Sequence, residues 1–158
     1  MGFSPSSLRL AAIAAGAFAC ALTLDLLTKV YAVERFHAFG AVAYNDRPHD
    51  LALRIDVSLV TIAAVFLLQR AGRGRGLGRL WGAWICMAVL IAGTLGNGVS
   101  SYLWERGVPD FIHLSGGWVW NLADFEIVLG LLGAAVSVLV NGVIAYVRSR
   151  SALARTPT

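Results

Sequence analysis

Four stretches of the chain are dominated by apolar residues, and polar, aromatic or basic segments separate them. The first, 8–30, is interrupted only by Arg9 near its start and by Asp25 and Lys29 near its end. The second, 51–69, carries Arg54 and Asp56 close to its beginning, and the third, 80–99, carries no charge. The fourth, 125–147, has Asn141 as its main interior polar residue. A helix needs about 20 apolar residues to cross a bilayer core. Continuous apolarity over that length predicts helices rather than alternating strands. The expectation is an all-α integral membrane protein: one domain over 1–158, with four transmembrane helices and a short tail at 148–158. The first run exceeds the apolar core of a signal peptide, and three more follow it, so it reads as a span.

Composition removes the competing classes. Of 158 residues, 58% are hydrophobic and 14% charged, against roughly 25% charged in soluble domains. Mean hydropathy is +0.70. A soluble core of this size cannot hide so much apolar side chain, and a disordered or collagen-like chain is excluded as well. The net charge of +4 raises nucleic acid as a partner until the basic residues are placed. Arg9 precedes the first span, Arg70, Arg73, Arg75 and Arg79 separate the second from the third, and Arg148, Arg150 and Arg155 follow the fourth. No acid occurs in those segments. Basic flanks mark the cytoplasmic side, so both termini are expected in the cytoplasm, with loops 31–54 and 100–124 on the extracytoplasmic side. No nucleic acid is needed to explain the charge. The outer loops carry Tyr31, Phe36, Phe39 and Tyr44, then Tyr102, Trp104, Phe111, Trp118 and Trp120; aromatic rings of this kind favour the headgroup layer. Cys20 and Cys86 lie in apolar runs and read as buried thiols rather than a disulfide or zinc site. The small-residue pairs Gly78/Gly82 and Gly130/Ala134 can pack helices within one chain or between chains.

The candidate chemistry gathers at the outer boundary. Asp25 and Lys29 are four apart, hence on one helix face in the favourable acid-first order, and a structural ion pair explains them. Asp124 stands just before the fourth apolar run, where an acid can cap a helix. Asp110 follows Pro109 and precedes Phe111 and Ile112. Singly, each acid has a structural explanation. Together, Asp110 and Asp124 are two carboxylates on one side of the membrane. Two carboxylates held close share a proton, so one can act as base on a water while the other protonates the scissile group. That chemistry requires no cofactor and no metal. His37, His49 and His113 show no ligand spacing, the arginine-rich stretch is not a phosphate loop, and no serine has an evident base.

On these residues the chain resembles the lipoprotein signal peptidase, or signal peptidase II, family. Asp25-Leu26-Leu27-Thr28-Lys29 resembles its D-x-x-[TS]-K segment, and Gly93-Thr94-Leu95-Gly96-Asn97 its G-G-x-x-G-N segment. Val108-Pro109-Asp110-Phe111-Ile112 is similar to V-x-D-F-I, and Trp120-Asn121-Leu122-Ala123-Asp124 to [FW]-N-x-A-D. The resemblance implies an intramembrane aspartic endopeptidase of the bacterial cytoplasmic membrane, its active site facing outward. Such an enzyme removes the signal peptide of prolipoproteins before a diacylglyceryl-modified cysteine. It implies Asp110 and Asp124 as the catalytic pair, with Asp25, Lys29, Asn97 and Asn121 supporting the site or the substrate. Two segments depart. Where the family continues G-N-x-x-D-R, Ser100 and Ser101 stand in place of the acid and the arginine, and one extra residue separates Asn97 from Asp110. The N-x-G-x-x-F of the first outer loop is represented at most by Asn45. The missing acid and arginine at positions 100 and 101 motivate a second class, a non-catalytic membrane protein that binds lipoprotein precursors or other lipidated ligands. A small transporter subunit, motivated by Asp25, is disfavoured by the scarcity of polar residues at mid-span.

Overall fold

A computed structural model describes residues 5–45, 48–71 and 80–153. The expected basic positions Arg73, Arg75, Arg79 and Arg155, and Gly78, lie outside the described residues. Four helices carry the chain: α1 (Pro5–Phe36), α2 (Pro48–Ala71), α3 (Trp81–Leu103) and α4 (Leu122–Leu153). Between them run four short strands, β1 (Ala43–Asn45), β2 (Val108–Asp110), β3 (Ile112–His113) and β4 (Val119–Trp120). Among the described residues, three helical stretches are long and apolar enough to cross a bilayer: Leu8–Phe39, Trp81–Leu103 and Leu122–Ala152. The fold is thus that of a mostly helical membrane protein. The first helix overruns its apolar stretch: α1 continues past Asp25 and Lys29 through Tyr31 to Phe36.

α3 is the central element, half buried where α1 and α4 are mostly exposed, and it packs against α1, α2 and α4. Leu80, Ala83, Met87 and Ala134 form a buried cluster, joined by Ile62 of α2 and Val138 of α4. Backbone approach tightens the α3–α4 seam. A Cβ on Gly130 would stand 2.7 Å from the Cys86 carbonyl oxygen and 2.7 Å from Leu90 Cβ, so Gly130 and Ala134 serve packing within this chain. Ser58 and Thr94 hydroxyls meet at 2.8 Å and tie α2 to α3. The outward faces are aliphatic: Leu27 on α1 and Leu129 and Leu139 on α4 are each about 60% exposed or more. Such surfaces match a hydrocarbon surround.

The segments between the helices pair with one another and pack on the helix ends. β1 pairs antiparallel with β2, setting Ala43 opposite Asp110, Tyr44 opposite Pro109 and Asn45 opposite Val108. β3 pairs with β4, setting Ile112 opposite Trp120. The intervening turn uses Gly116 and Gly117, both at positive φ (86° and 81°), a backbone that glycine adopts without a Cβ clash.

Candidate active site

The start of α4 is built by a reciprocal cap. Asn121 precedes the helix and Asp124 is its third residue. The Asp124 N–H donates to Asn121 Oδ1 at 3.3 Å, and the Asn121 N–H donates to Asp124 Oδ2 at 3.0 Å. This arrangement satisfies two backbone donors at once. Trp120 and Phe125 flank it, their rings edge-to-face with centroids 5.0 Å apart, which is the apolar staple that fixes the chain's angle of entry. Asp124 is therefore locked to the backbone rather than free to swing.

The β3–β4 hairpin then brings Asp110 to the same point. The Phe111 N–H donates to the Trp120 carbonyl at 3.0 Å, and the Leu114 N–H to the Trp118 carbonyl at 2.8 Å. Those bonds close the loop between the two aspartates, and Asn121 Nδ2 donates to Asp110 Oδ1 at 2.6 Å. One asparagine thus bonds to both carboxylates.

A second asparagine extends the network into the bundle. Asn97 Nδ2 donates to Asp124 Oδ1 at 3.2 Å, while Lys29 Nζ donates to Asn97 Oδ1 at 2.8 Å. A carboxylate only accepts and an ammonium only donates, so one orientation of the amide satisfies both partners. Lys29 also donates to Asp25 Oδ2 at 2.7 Å. The circuit closes where the Ala123 N–H donates to Asp25 Oδ1 at 2.9 Å, satisfying another donor of the first turn of α4. Three helices are joined in one ring of bonds. Burial grades along it: Asp25, Lys29 and Asn121 are fully enclosed, whereas Asp110 and Asp124 keep 7% and 9% exposure. The opening of the network is at the two aspartates.

Small residues permit this closeness. A Cβ on Gly96 would collide with the Asp25 carboxylate. A Cβ on Gly93 would lie 2.6 Å from the Ala123 carbonyl oxygen and 2.9 Å from Glu126 Cβ. Neither glycine has a substitute without displacing α1 or the first turn of α4.

Six of the seven expected residues, Asp25, Lys29, Asn97, Asp110, Asn121 and Asp124, meet in the network. Asn45 reaches it through the β-ribbon. It pairs with Val108 and shares the Asp110 face, as the diagonal neighbour of that aspartate. Ser100 and Ser101 do not join: their hydroxyls donate back to the carbonyls of Gly96 (2.5 Å) and Gly98 (2.7 Å) on their own helix. Sequence reasoning overlooked Glu126 as a site neighbour. It is 7% exposed, and its Oε2 has no hydrogen-bond partner among the described residues. Its signal was an acid two residues after Asp124 inside an apolar run. Among the described residues, no group of three or more His, Cys, Asp or Glu side chains is placed to hold a metal.

Fold and site together define a helical membrane protein with a buried polar ring that opens at two linked aspartates. The model of the family described as signal peptidase (SPase) II matches residues 37–140, well over half of the chain. The chain belongs to the signal peptidase II family, whose members are proteases of lipoprotein processing. The match spans Asn45, Asn97, Asp110, Asn121 and Asp124, and begins after Asp25 and Lys29. No curated protein matches the chain.

Proposed function

We propose that the protein is an intramembrane aspartic endopeptidase that cleaves diacylglyceryl-modified prolipoproteins immediately before the lipidated cysteine. The carrying observation is the single asparagine, Asn121, bonded to both Asp110 and Asp124. One carboxylate takes a proton from a water as that water adds to the scissile carbonyl carbon. The other, protonated, gives its proton to the carbonyl oxygen. The resulting tetrahedral diol collapses as the amide nitrogen is protonated and the C–N bond breaks. The signal peptide leaves with a new carboxyl group, and the lipidated cysteine keeps a free amine. Asn97 and Asn121 are positioning residues, Asp25 and Lys29 support them from α1, and Asn45 lies on the ribbon face along which substrate backbone approaches.

In this reading all four helices cross the cytoplasmic membrane, α2 included, both termini are cytoplasmic, and the aspartates face the extracytoplasmic side. Acyl chains in the outer leaflet then deliver the scissile bond to the site, turning a three-dimensional search into a local one. Incubating purified protein with a diacylglyceryl prolipoprotein tests it: the expected product ends immediately before the modified cysteine. The back-bonding of Ser100 and Ser101 favours one other reading, a binder of lipidated precursors. Retention of precursor with no cleavage across the pH range establishes that reading and overturns the first.

A further inference from the structure

A separate cavity of about 320 Å³ lies beside the β1–β2 ribbon, at the small end of ligand sites, about 300–1,000 Å³. Tyr44 reaches it from the ribbon face opposite to Asp110, because Ala43 and Asn45 occupy the aspartate's face. Val33 and His37 from the end of α1, and Leu103, Trp104, Glu105 and Arg106 from the end of α3, complete the walls. Arg106 Nη1 donates to His37 Nε2 at 2.8 Å. The His37 and Tyr44 rings meet edge to face at 5.8 Å.

Glu105 and Arg106 form no ion pair among the described residues. Among the described residues, the cavity wall therefore carries one anion and one cation on adjacent residues, with no ion pair to either. Two aliphatic side chains, Val33 and Leu103, also line it, and they belong to the apolar stretches Leu8–Phe39 and Trp81–Leu103. Phe39, Tyr102 and Leu103 stand exposed at the ends of those stretches (82%, 90% and 62%). A ligand that fits carries an anion and a cation a few atoms apart, with an apolar body descending along the helices.

We propose that this cavity binds the phosphoethanolamine headgroup of a membrane phospholipid, at a site distinct from Asp110 and Asp124. The phosphate lies against the Arg106 guanidinium, which suits phosphate oxygens. The ammonium lies against Glu105, and the acyl chains run along Val33 and Leu103. Free phosphoethanolamine shares the charged chemistry but lacks the aliphatic contacts, so it binds far more weakly.

The test titrates the full chain in neutral detergent with phosphatidylethanolamine, phosphatidylglycerol, diacylglycerol or free phosphoethanolamine, and reads lipid retention by native mass spectrometry. Phosphatidylethanolamine should be retained most tightly. R106Q should weaken both phospholipids by about tenfold or more and leave diacylglycerol unchanged. E105Q should remove the preference for phosphatidylethanolamine over phosphatidylglycerol. Both side chains are exposed, so unfolding curves should be unaltered. Equal retention of the two phospholipids, or retention indifferent to R106Q, overturns the proposal. So does displacement of the lipid by millimolar free phosphoethanolamine, which would make the site one for a soluble ligand. Displacement by a peptide matching the segment after a lipoprotein's cysteine would assign the cavity to protein instead.

Discussion

At the scale of single residues, two asparagines make the site possible. An amide carries a donor and an acceptor a short distance apart, so it can bridge a donor on one side to an acceptor on the other. Asn97 joins Lys29 to Asp124, and Asn121 joins Asp110 to the backbone of α4. Asn121 performs two tasks that substitution separates. Asn121→Ala removes the cap, which costs about 1 kcal/mol, and also frees Asp110, so kcat should fall while KM changes little. Asn121→Ser keeps a good cap but cannot reach Asp110. Unfolding in mild detergent should recover with Ser, and turnover should not. Lys29→Met leaves the wholly buried Asp25 without its cation, and about 3–5 kcal/mol should be lost. The double variant D25N/K29M should regain part of it in the same unfolding measurement. Most of these residues were legible in the sequence, because Asp25/Lys29 spacing and the motifs around Asp110 and Asp124 mark them. The bonds from Asn97 to Lys29 and Asp124 were not, since they join residues 68 and 27 positions apart and no local pattern encodes such pairings.

At the scale of elements, the outer loops differ most from the sequence reading. Their aromatic content gives no sign of secondary structure, and they contain strands of two or three residues. Strands that short show no alternation long enough to read, and Pro109 within β2 argues against a strand in any sequence scan. The hairpin nonetheless decides the site, since it returns Asp110 to Asn121. The helix start is encoded locally. Trp120, Asn121, Asp124 and Phe125 stand at the spacing of a capping box with its apolar staple, so one short motif both begins a helix and holds an aspartate. Helix packing carries its own test. Gly93→Ala places a methyl against the Ala123 carbonyl, at an overpacking cost of about 1–3 kcal/mol, and shifts the turn that holds Asp124. Gly16 meets nothing within 4 Å, so Gly16→Ala should be neutral or stabilising by helix propensity. Comparing both variants for melting temperature and turnover checks that the α3–α4 seam is intolerant where the open position at Gly16 is not.

At the scale of the whole molecule, lipid-facing aliphatic walls surround a polar ring at one end of the bundle. The apolar runs made the helical membrane class readable at once, because hydrocarbon leaves a spanning chain few alternatives. Orientation rests on charge placement, and single-cysteine labelling tests it. With native Cys20 and Cys86 replaced, L8C and S149C should react with an impermeant maleimide from the cytoplasmic side, and S115C from the opposite side. Reaction of L8C and S149C from opposite sides would mean an odd number of crossings and would remove α2 from the spans. The central claim is that Asp110 and Asp124 act as one catalytic unit. The most direct measurement is the cleavage rate of a diacylglyceryl prolipoprotein by the reconstituted protein and by D110N, D124N and the double variant. Groups that act together fail together, so each single variant should lose cleavage as completely as the double variant while remaining folded and binding substrate. Cleavage surviving in both single variants, or none in the unaltered protein, would contradict the account.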